Sequence, residues 1–310
     1  MTIGIAAFGP QAGAGVLAAL RAVEGVGRGA IGGFVSLAAL TEDGRLLRAT
    51  CQQGGAGALF TDAPPDDILA APLVGLISSG PNRPEPLAAF VAAEPGVGLV
   101  TGHRMPHTPA ADGVPLNAHV LRKMKQGADP QSAIDRVIAR FPEMDAGFLA
   151  VSVDGRIGLG SMPGVLSRRD HGAGMLEDGA GPARVASIHN AIQPHRLIAL
   201  AANEVALDTM LRPAARAAWV TIPAGVALAF APEARILVGP DGVAQRILHP
   251  HRPFLSGEWS VGLGERVAVV ADGAQLGWLG YEPYLVVSDG RVLSVDGQDA
   301  VSAPLLPAVP

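Results

Sequence analysis

Two segments of the chain repeat one pattern of apolar and polar positions. In residues 12–55, an apolar helical stretch is followed by glycine, an apolar run, an Asp-Gly turn and a second apolar run. Residues 128–164 repeat this order, with Asp154 in the place of Asp43. Asp and Gly tolerate the positive φ angles that tight hairpin turns require. The pattern therefore predicts a helix, a glycine and a buried hairpin, twice, which is typical of a layered α/β sandwich.

Apolar runs bounded by Gly, Pro and Asp predict the remaining elements of this part. We expect strands over residues 2–8, 73–78, 97–101 and 184–188, helices over 86–93, 116–126, 130–140 and 194–211, and a polar loop over 101–109. The helix that follows Asp129 has the residues of a helix start, an N-cap Asp and then Pro130.

The predicted organisation has two halves joined by a connection. A Gly-, Pro- and Asp-rich stretch at 163–182 predicts an exposed connection or lid. From Trp219 onward, short apolar runs separated by Asp-Gly turns predict a mainly β portion. We therefore expect a first half over 1–162 and a second over 183–310, which either closes the same sandwich or forms a separate module.

Composition narrows the classes of partner. Only 4% of the residues are aromatic, so the core must consist mostly of Ala, Val, Leu and Ile. Lys and Arg number 23 against 28 acidic residues, which predicts no nucleic-acid partner. Every apolar run is broken before the ~20 residues of a membrane span, and the single cysteine fits a reducing compartment. We expect a cytoplasmic protein with no membrane partner.

A longer stretch of sequence resembles a known group of enzymes. The segment PLNAHVLRKMKQGADPQSAIDRVIARFPEMDAGFLAVSVDGRIGLGSM, Pro115 to Met162, resembles the N-terminal-nucleophile (Ntn) hydrolases of the gamma-glutamyltranspeptidase and isoaspartyl-peptidase type. The segment GAIGGFVSLAALTEDGRLL, Gly29 to Leu47, is similar to the Gly-Gly-Phe hairpin of the same group. The resemblance covers about the first half of the chain. It implies a four-layer αββα sandwich and amide-bond chemistry.

The sequence departs from this group at one position. In the isoaspartyl-peptidase type, the resemblance implies a nucleophilic Thr before the strand that contains Gly147. Here Asp145 and Ala146 stand in that place. The expected nucleophile is therefore missing from the second repeat.

Two other residues are candidate nucleophiles. Removal of Met1 would leave Thr2 with a free α-amine, of pKa ~8, that can act as base for its own hydroxyl. Cys51 ends the first hairpin and is the alternative, although a lone cysteine is also a common small buried residue. Backbone amides of two glycine pairs are the expected oxyanion donors. These pairs are Gly32-Gly33 and Gly54-Gly55.

Polar residues in two places are candidates for binding or acid–base work. His103 and His107 are candidate acid–base groups, and Arg104 suits an acidic substrate. Nearby prolines and the lack of a carboxylate count against a metal site there. His189 and Asn190 follow a predicted strand and are further candidates for substrate binding.

Three functions remain open from the sequence. The first is an Ntn-type amidohydrolase that acts on a small amide or peptide-like substrate without a cofactor, with homo-oligomerisation open. The second is a catalytically inactive Ntn-like binding or assembly protein, which Ala146 favours. The third is a nucleotide-binding α/β enzyme, because a strand, glycines and a helix open the chain in the manner of a dinucleotide-binding fold.

Overall fold

The computed structural model describes residues 1–179, 181–211, 219–264 and 266–307. The chain divides into two compact units, Met1–Leu211 and Arg212–Pro310. The described elements of the first unit are β1 (Thr2–Phe8), α1 (Ala12–Val26), β2 (Val35–Leu40), β3 (Leu46–Cys51), α2 (Gly55–Ala58), α3 (Asp66–Leu69), β4 (Leu73–Ser79), β5 (Ala92–Glu94), β6 (Gly98–Arg104), α4 (Leu116–Lys125), α5 (Pro130–Arg140), β7 (Ala146–Ser152), β8 (Ile157–Ser161), α6 (Pro163–Leu166), β9 (His171–Glu177), β10 (Arg184–Asn190) and α7 (His195–Leu211).

The first unit is a four-layer sandwich. Six antiparallel strands form one sheet in the order β3-β2-β4-β1-β10-β9, and four form a second in the order β5-β6-β7-β8. Helices α1 and α7 pack on the outer face of the larger sheet. Helices α4 and α5 pack on the outer face of the smaller sheet. The predicted αββα sandwich is therefore confirmed.

The central strand β1 is buried on both faces. Ile3 and Ile5 belong to the core cluster beneath α1 and α7, whereas Ala6 belongs to the cluster between the two sheets. Gly4 faces Gly102 of β6, and a Cβ on Gly4 would lie 2.4 Å from the Gly102 carbonyl oxygen. The two sheets therefore approach closely next to Thr2, the first residue of β1.

Local sequence signals account for the helix ends. The side chain of Asp129 accepts a hydrogen bond from the backbone N–H of Ser132 at 3.0 Å, and Pro130 is the first residue of α5. This arrangement satisfies one of the free N–H groups of the first turn. The predicted N-cap is present.

Two predicted elements differ in the structure. The predicted helix over 86–93 is a short 3-10 helix, Leu87–Phe90, followed by β5. The polar loop predicted over 101–109 begins only after Arg104, because β6 extends to Arg104 by pairing with β7. His103 is therefore a strand residue and not a loop residue.

The division between the two units also differs from the sequence prediction. The stretch 163–182 contains α6 and β9, and β9 pairs with β10 along its whole length. Because β10 also pairs with β1, strands β9 and β10 extend the larger sheet, and α7 covers it. Residues 183–211 therefore belong to the first unit, and the division falls after Leu211.

The dinucleotide-binding alternative is wrong at the level of fold. Such folds need a parallel strand next to the first one, with a crossover helix between them. Strand β1 is antiparallel to both of its neighbours, β4 and β10.

The second unit is mainly β, as predicted. Its ten described strands form one sheet in the order β11-β20-β17-β16-β13-β14-β12-β19-β18-β15. Their bounds are β11 (Trp219–Pro223), β12 (Ala227–Phe230), β13 (Arg235–Val238), β14 (Ala244–His249), β15 (Glu258–Gly262), β16 (Ala268–Ala271), β17 (Ala274–Leu279), β18 (Tyr284–Ser288), β19 (Arg291–Val295) and β20 (Ala300–Pro307). A second 3-10 helix spans Arg252–Leu255. The unit has its own core, which includes Ile222, Ile236 and Ile247.

Across the described parts of both units, every helix is too short or too polar to span a membrane.

Candidate functional site

Thr2 lies at the start of the central strand of the larger sheet. Its register partners are Asn190 on β10 and Ser79 on β4. Residues directly opposite in antiparallel strands project from the same face of a sheet. Asn190 contacts His103 of the smaller sheet, so this face lies between the two sheets. Thr2 is only 6% exposed there.

A small cleft of about 90 Å³ opens beside Thr2. Its volume suits a small polar head group, since one water occupies ≈ 30 Å³ of liquid. Its walls come from strand ends and from the loops that follow β4 and β6. The lining residues are Thr2, Ser79, Arg83, Pro84, Phe90, Arg104, Met105 and His107.

Arg83 places a positive charge in this cleft. Its Nε donates a hydrogen bond to Ser79 Oγ at 2.8 Å. Gln52 holds the backbone of Arg83 on both sides, since its Oε1 accepts from Arg83 N and its Nε2 donates to Arg83 O, each at 2.8 Å. Within the described ranges no carboxylate pairs with Arg83. No motif in the sequence marks Arg83, whose only signal is its place after the strand end at Ser79.

Arg104 is also at the cleft, but its charge has a partner. Its Nε and Nη2 both donate to the carboxylate of Asp145, in a bidentate pair. This hydrogen bonding lowers the pKa of Asp145 below its usual value. Asp145 stands where the resemblance implied a nucleophile's neighbour, and here it fixes an arginine at the edge of the site.

The α-amine next to Thr2 is partly withdrawn from water. Burial lowers the pKa of the Met1 amine below its ordinary value of 8.0, and the positive charges of Arg83 and Arg104 lower it further. The Met1 side chain packs against the loop before β2, where its Sδ accepts a hydrogen bond from Ala30 N at 3.0 Å. A larger fraction of this amine is therefore unprotonated at neutral pH than of an ordinary α-amine.

His107 is the titratable ring in the cleft. It packs against Phe90 with ring centroids 3.7 Å apart. Burial lowers the pKa of His107, and the charge of Arg83 lowers it further. Its Nδ1 is buried and has no hydrogen-bond partner. His107 is therefore a neutral imidazole at neutral pH, with one ring nitrogen free.

The other two candidate histidines are buried outside the cleft. His103 Nε2 lies 3.0 Å from Ser161 Oγ, and burial lowers the pKa of His103 to about 3. His189 Nε2 donates to the carbonyl of His195 at 3.0 Å, and burial lowers the pKa of His189 to about 4. Both rings are therefore uncharged at neutral pH. No three His, Cys, Asp or Glu side chains of the described residues cluster in a way that could hold a metal ion.

Asn190 lies between the buried His103 and Thr2. Its Oδ1 lies 3.4 Å from His103 Nδ1, whereas its Nδ2 is buried without a partner. Because Asn190 is the register partner of Thr2, this free amide N–H group lies at the level of the candidate nucleophile.

Cys51 lies away from this site. It packs against the core cluster on the helix side of the larger sheet, and β3 is separated from β1 by two strands. Its Sγ lies 3.4 Å from the Gly55 carbonyl oxygen. Burial raises the pKa of the Cys51 thiol above its ordinary value, which disfavours the nucleophilic thiolate. The structure does not bring Cys51 to Thr2.

In each glycine pair, one backbone N–H group is already used within the fold. The N–H of Gly33 donates to Ser79 O at 3.0 Å, and the N–H of Gly55 donates to Gly33 O at 2.8 Å. Both donors are therefore already used within the fold. Gly32 and Gly54 have φ angles of 78° and 84°, which explains glycine there by backbone conformation.

Comparisons with known proteins identify the family of the larger unit. A family model described as a domain of unknown function (DUF6963) matches residues 2–219, more than half of the chain. The chain belongs to this family. A second model, described as a domain of unknown function (DUF7259), matches residues 225–300. The first match covers the first structural unit and extends a few residues beyond Leu211. The second match lies within the second unit.

Similarity to characterised proteins is slight. No curated protein matches the chain. Among solved structures, the glutamine phosphoribosylpyrophosphate (PRPP) amidotransferase from B. subtilis, complexed with ADP and GMP, aligns at 14% identity with a TM-score of 0.34. The alignment covers 60% of this chain and 41% of that chain, so this chain spans less than half of the other protein's length. This likeness is distant, and no activity follows from it.

Proposed function

We propose that the first unit is an Ntn-type amidohydrolase whose nucleophile is Thr2, exposed by cleavage of the Met1–Thr2 bond. The observation that carries this proposal is the position of Thr2. It heads the central strand of an αββα sandwich, its side chain lies between the sheets, and a cleft with two arginines opens beside it.

The cleft residues and Asn190, the register partner of Thr2, have distinct roles in the proposed reaction. The Thr2 hydroxyl attacks the carbonyl carbon of a small amide, and its proton passes to the α-amine of Thr2 and then to the leaving nitrogen. The N–H group of Asn190 that lacks a partner stabilises the oxyanion of the tetrahedral intermediate. Water then attacks the resulting ester, which releases the acid and restores Thr2. His107 and Arg83 bind the polar part of the substrate.

A non-catalytic binding protein is the second candidate. Two observations favour it, namely Ala146 at the position of the group's expected nucleophile and the occupied N–H groups of Gly33 and Gly55. In that case the cleft binds a small polar ligand and no bond is broken.

A substrate-independent test is covalent labelling. Intact mass first shows whether Met1 is removed. The protein is then incubated with a small β-lactone, and the labelled peptide is identified by mass spectrometry. We expect one added acyl group, on Thr2, in the protein that lacks Met1.

Matched variants decide the outcome. Thr2→Ser is expected to keep the label and Thr2→Ala to lose it. Thr41→Ala serves as control. Thr41 follows β2 at the opposite end of the strands from Thr2. Retention of Met1 on the whole population, or unchanged labelling of Thr2→Ala, would remove Thr2 as a terminal nucleophile.

A further inference from the structure

A second groove lies on the first unit, between the edge strand β9 and helix α7. It has a volume of about 350 Å³, which lies within the usual range of small-molecule sites, ≈ 300–1,000 Å³. None of the cleft residues around Thr2 lines this groove. A role for the groove is therefore separate from the proposed amidohydrolase activity.

One end of the groove is rich in nitrogen groups. His171 begins β9 and His195 begins α7, and the hydrogen bond from His189 Nε2 to His195 O brings these two starts together. Arg196 follows on the exposed side of the helix and has no carboxylate partner among the described residues. His171 Nδ1 is buried and also lacks a hydrogen bond. This end suits an anionic group, since no acidic side chain lines the groove.

The floor of the groove contains an unsatisfied amide. Asn203 is 1% exposed, and its Oδ1 is buried without a hydrogen-bond partner. Such a group costs free energy unless something else supplies the bond. Gly174 leaves the amide uncovered, since a Cβ there would lie 3.2 Å from Asn203 Nδ2. Asn203 is seven residues beyond Arg196 in α7, which is about 10 Å along a helix.

The walls of the groove are apolar. Met175 and Leu200 line it, and they are 46% and 50% exposed. Sites for small molecules are mostly lined by apolar side chains. The groove thus offers a basic end, an apolar middle and a buried amide.

We propose that this groove binds a small amphipathic acid. Its carboxylate lies against Arg196 and the two histidines, its aliphatic body lies on Met175 and Leu200, and a hydroxyl or similar group meets the amide of Asn203. The ligand is therefore an acid with a second polar group about 10 Å from its carboxylate, a separation set by the helix rise.

Three defined probes test each part of this proposal in the full-length protein. These are ω-hydroxyoctanoate, octanoate and the uncharged octanediol. Amide chemical shifts in ¹H–¹⁵N spectra report where each binds, and titration gives the dissociation constants. We expect saturable shifts at β9 and α7, with ω-hydroxyoctanoate the tightest and octanediol the weakest.

Variants separate the charged contact from the amide contact. Arg196→Gln is expected to weaken both acids about tenfold, while Arg136→Gln on the exposed face of α5 leaves both unchanged. Asn203→Leu is expected to bring ω-hydroxyoctanoate to the affinity of octanoate. If Asn203→Leu does not fold, Leu200→Glu replaces it, because a carboxylate at this exposed position should repel both acids.

Three results would overturn the proposal. They are no saturable shift at β9 and α7 with any probe at millimolar concentration, equal affinity for octanediol and the acids, and binding to Arg196→Gln as tight as to the natural sequence.

Discussion

At the scale of single residues, two buried histidines make stability depend on pH. The ordinary histidine pKa is 6.5, whereas burial lowers the pKa of His103 to about 3 and that of His189 to about 4. Between these values the unfolded chain binds protons that the folded protein does not bind. The contribution of these two histidines to the free energy of unfolding is therefore fully present above pH 6.5. It decreases as the pH falls from there toward 4.

We expect the free energy of unfolding to fall by roughly 1 kcal/mol per pH unit for each histidine over this window. Urea unfolding at neutral pH and at about pH 5 measures it. His103→Gln should reduce the slope, while His251→Gln, an exposed histidine, should not. NMR titration of the His103 ring gives an independent check. A ring that protonates near its ordinary pKa would contradict the assignment.

At the scale of elements, the contact between the two sheets depends on missing side chains. Gly4 and Gly102 meet where β1 and β6 cross, close to the candidate nucleophile. A methyl group on Gly4 would collide with backbone, which cannot rotate away as a side chain can. Close-packed interiors transmit such strain to neighbouring residues.

We expect Gly4→Ala to lower the free energy of unfolding by about 1–3 kcal/mol, as overpacking does. Gly25→Ala is the matched control, because Gly25 lies in α1 and a Cβ there meets no atom within 4 Å. This control should be neutral or stabilise by up to about 1 kcal/mol, since alanine favours a helix. Denaturant titration of both variants measures the difference. Equal stabilities would show that the sheets can separate at this point.

The sequence predicted those elements whose signals are local. Strand β1 and the cap at Asp129 follow from neighbouring residues, and so do the two hairpins. The burial of His103 and the extension of the sheet by β9 depend on pairing with distant strands, which no local pattern reports. Arg83 is a similar case, because its backbone is held by Gln52, which follows the distant β2–β3 hairpin. Of the residues predicted for the site, the structure brings Thr2, Arg104 and His107 to one cleft, whereas Cys51 and the glycine pairs do not line it.

At the scale of the whole molecule, the chain has separate cores. In the described residues, every cluster of buried side chains belongs to one unit alone. The core of the first unit is shared among helices and two sheets, whereas that of the second comes mostly from strands. Each unit thus has the buried apolar residues that independent cooperative unfolding needs.

We expect calorimetry to resolve two unfolding transitions. Leu37→Ala should lower the midpoint of one and Ile247→Ala that of the other, because each side chain is fully buried in a different core. Loss of such a side chain costs about 2–5 kcal/mol. A single transition that both variants shift equally would show that the units unfold together.

The single thiol of the chain has a practical consequence. Cys51 is half-buried on the helix side of the larger sheet, and its raised pKa keeps it protonated at neutral pH. Alkylating reagents attack the thiolate, so the native protein should react slowly. A cysteine introduced on an exposed loop could therefore be labelled selectively without first replacing Cys51, which makes the protein accessible to fluorescent and spin-label probes of the cleft and the groove.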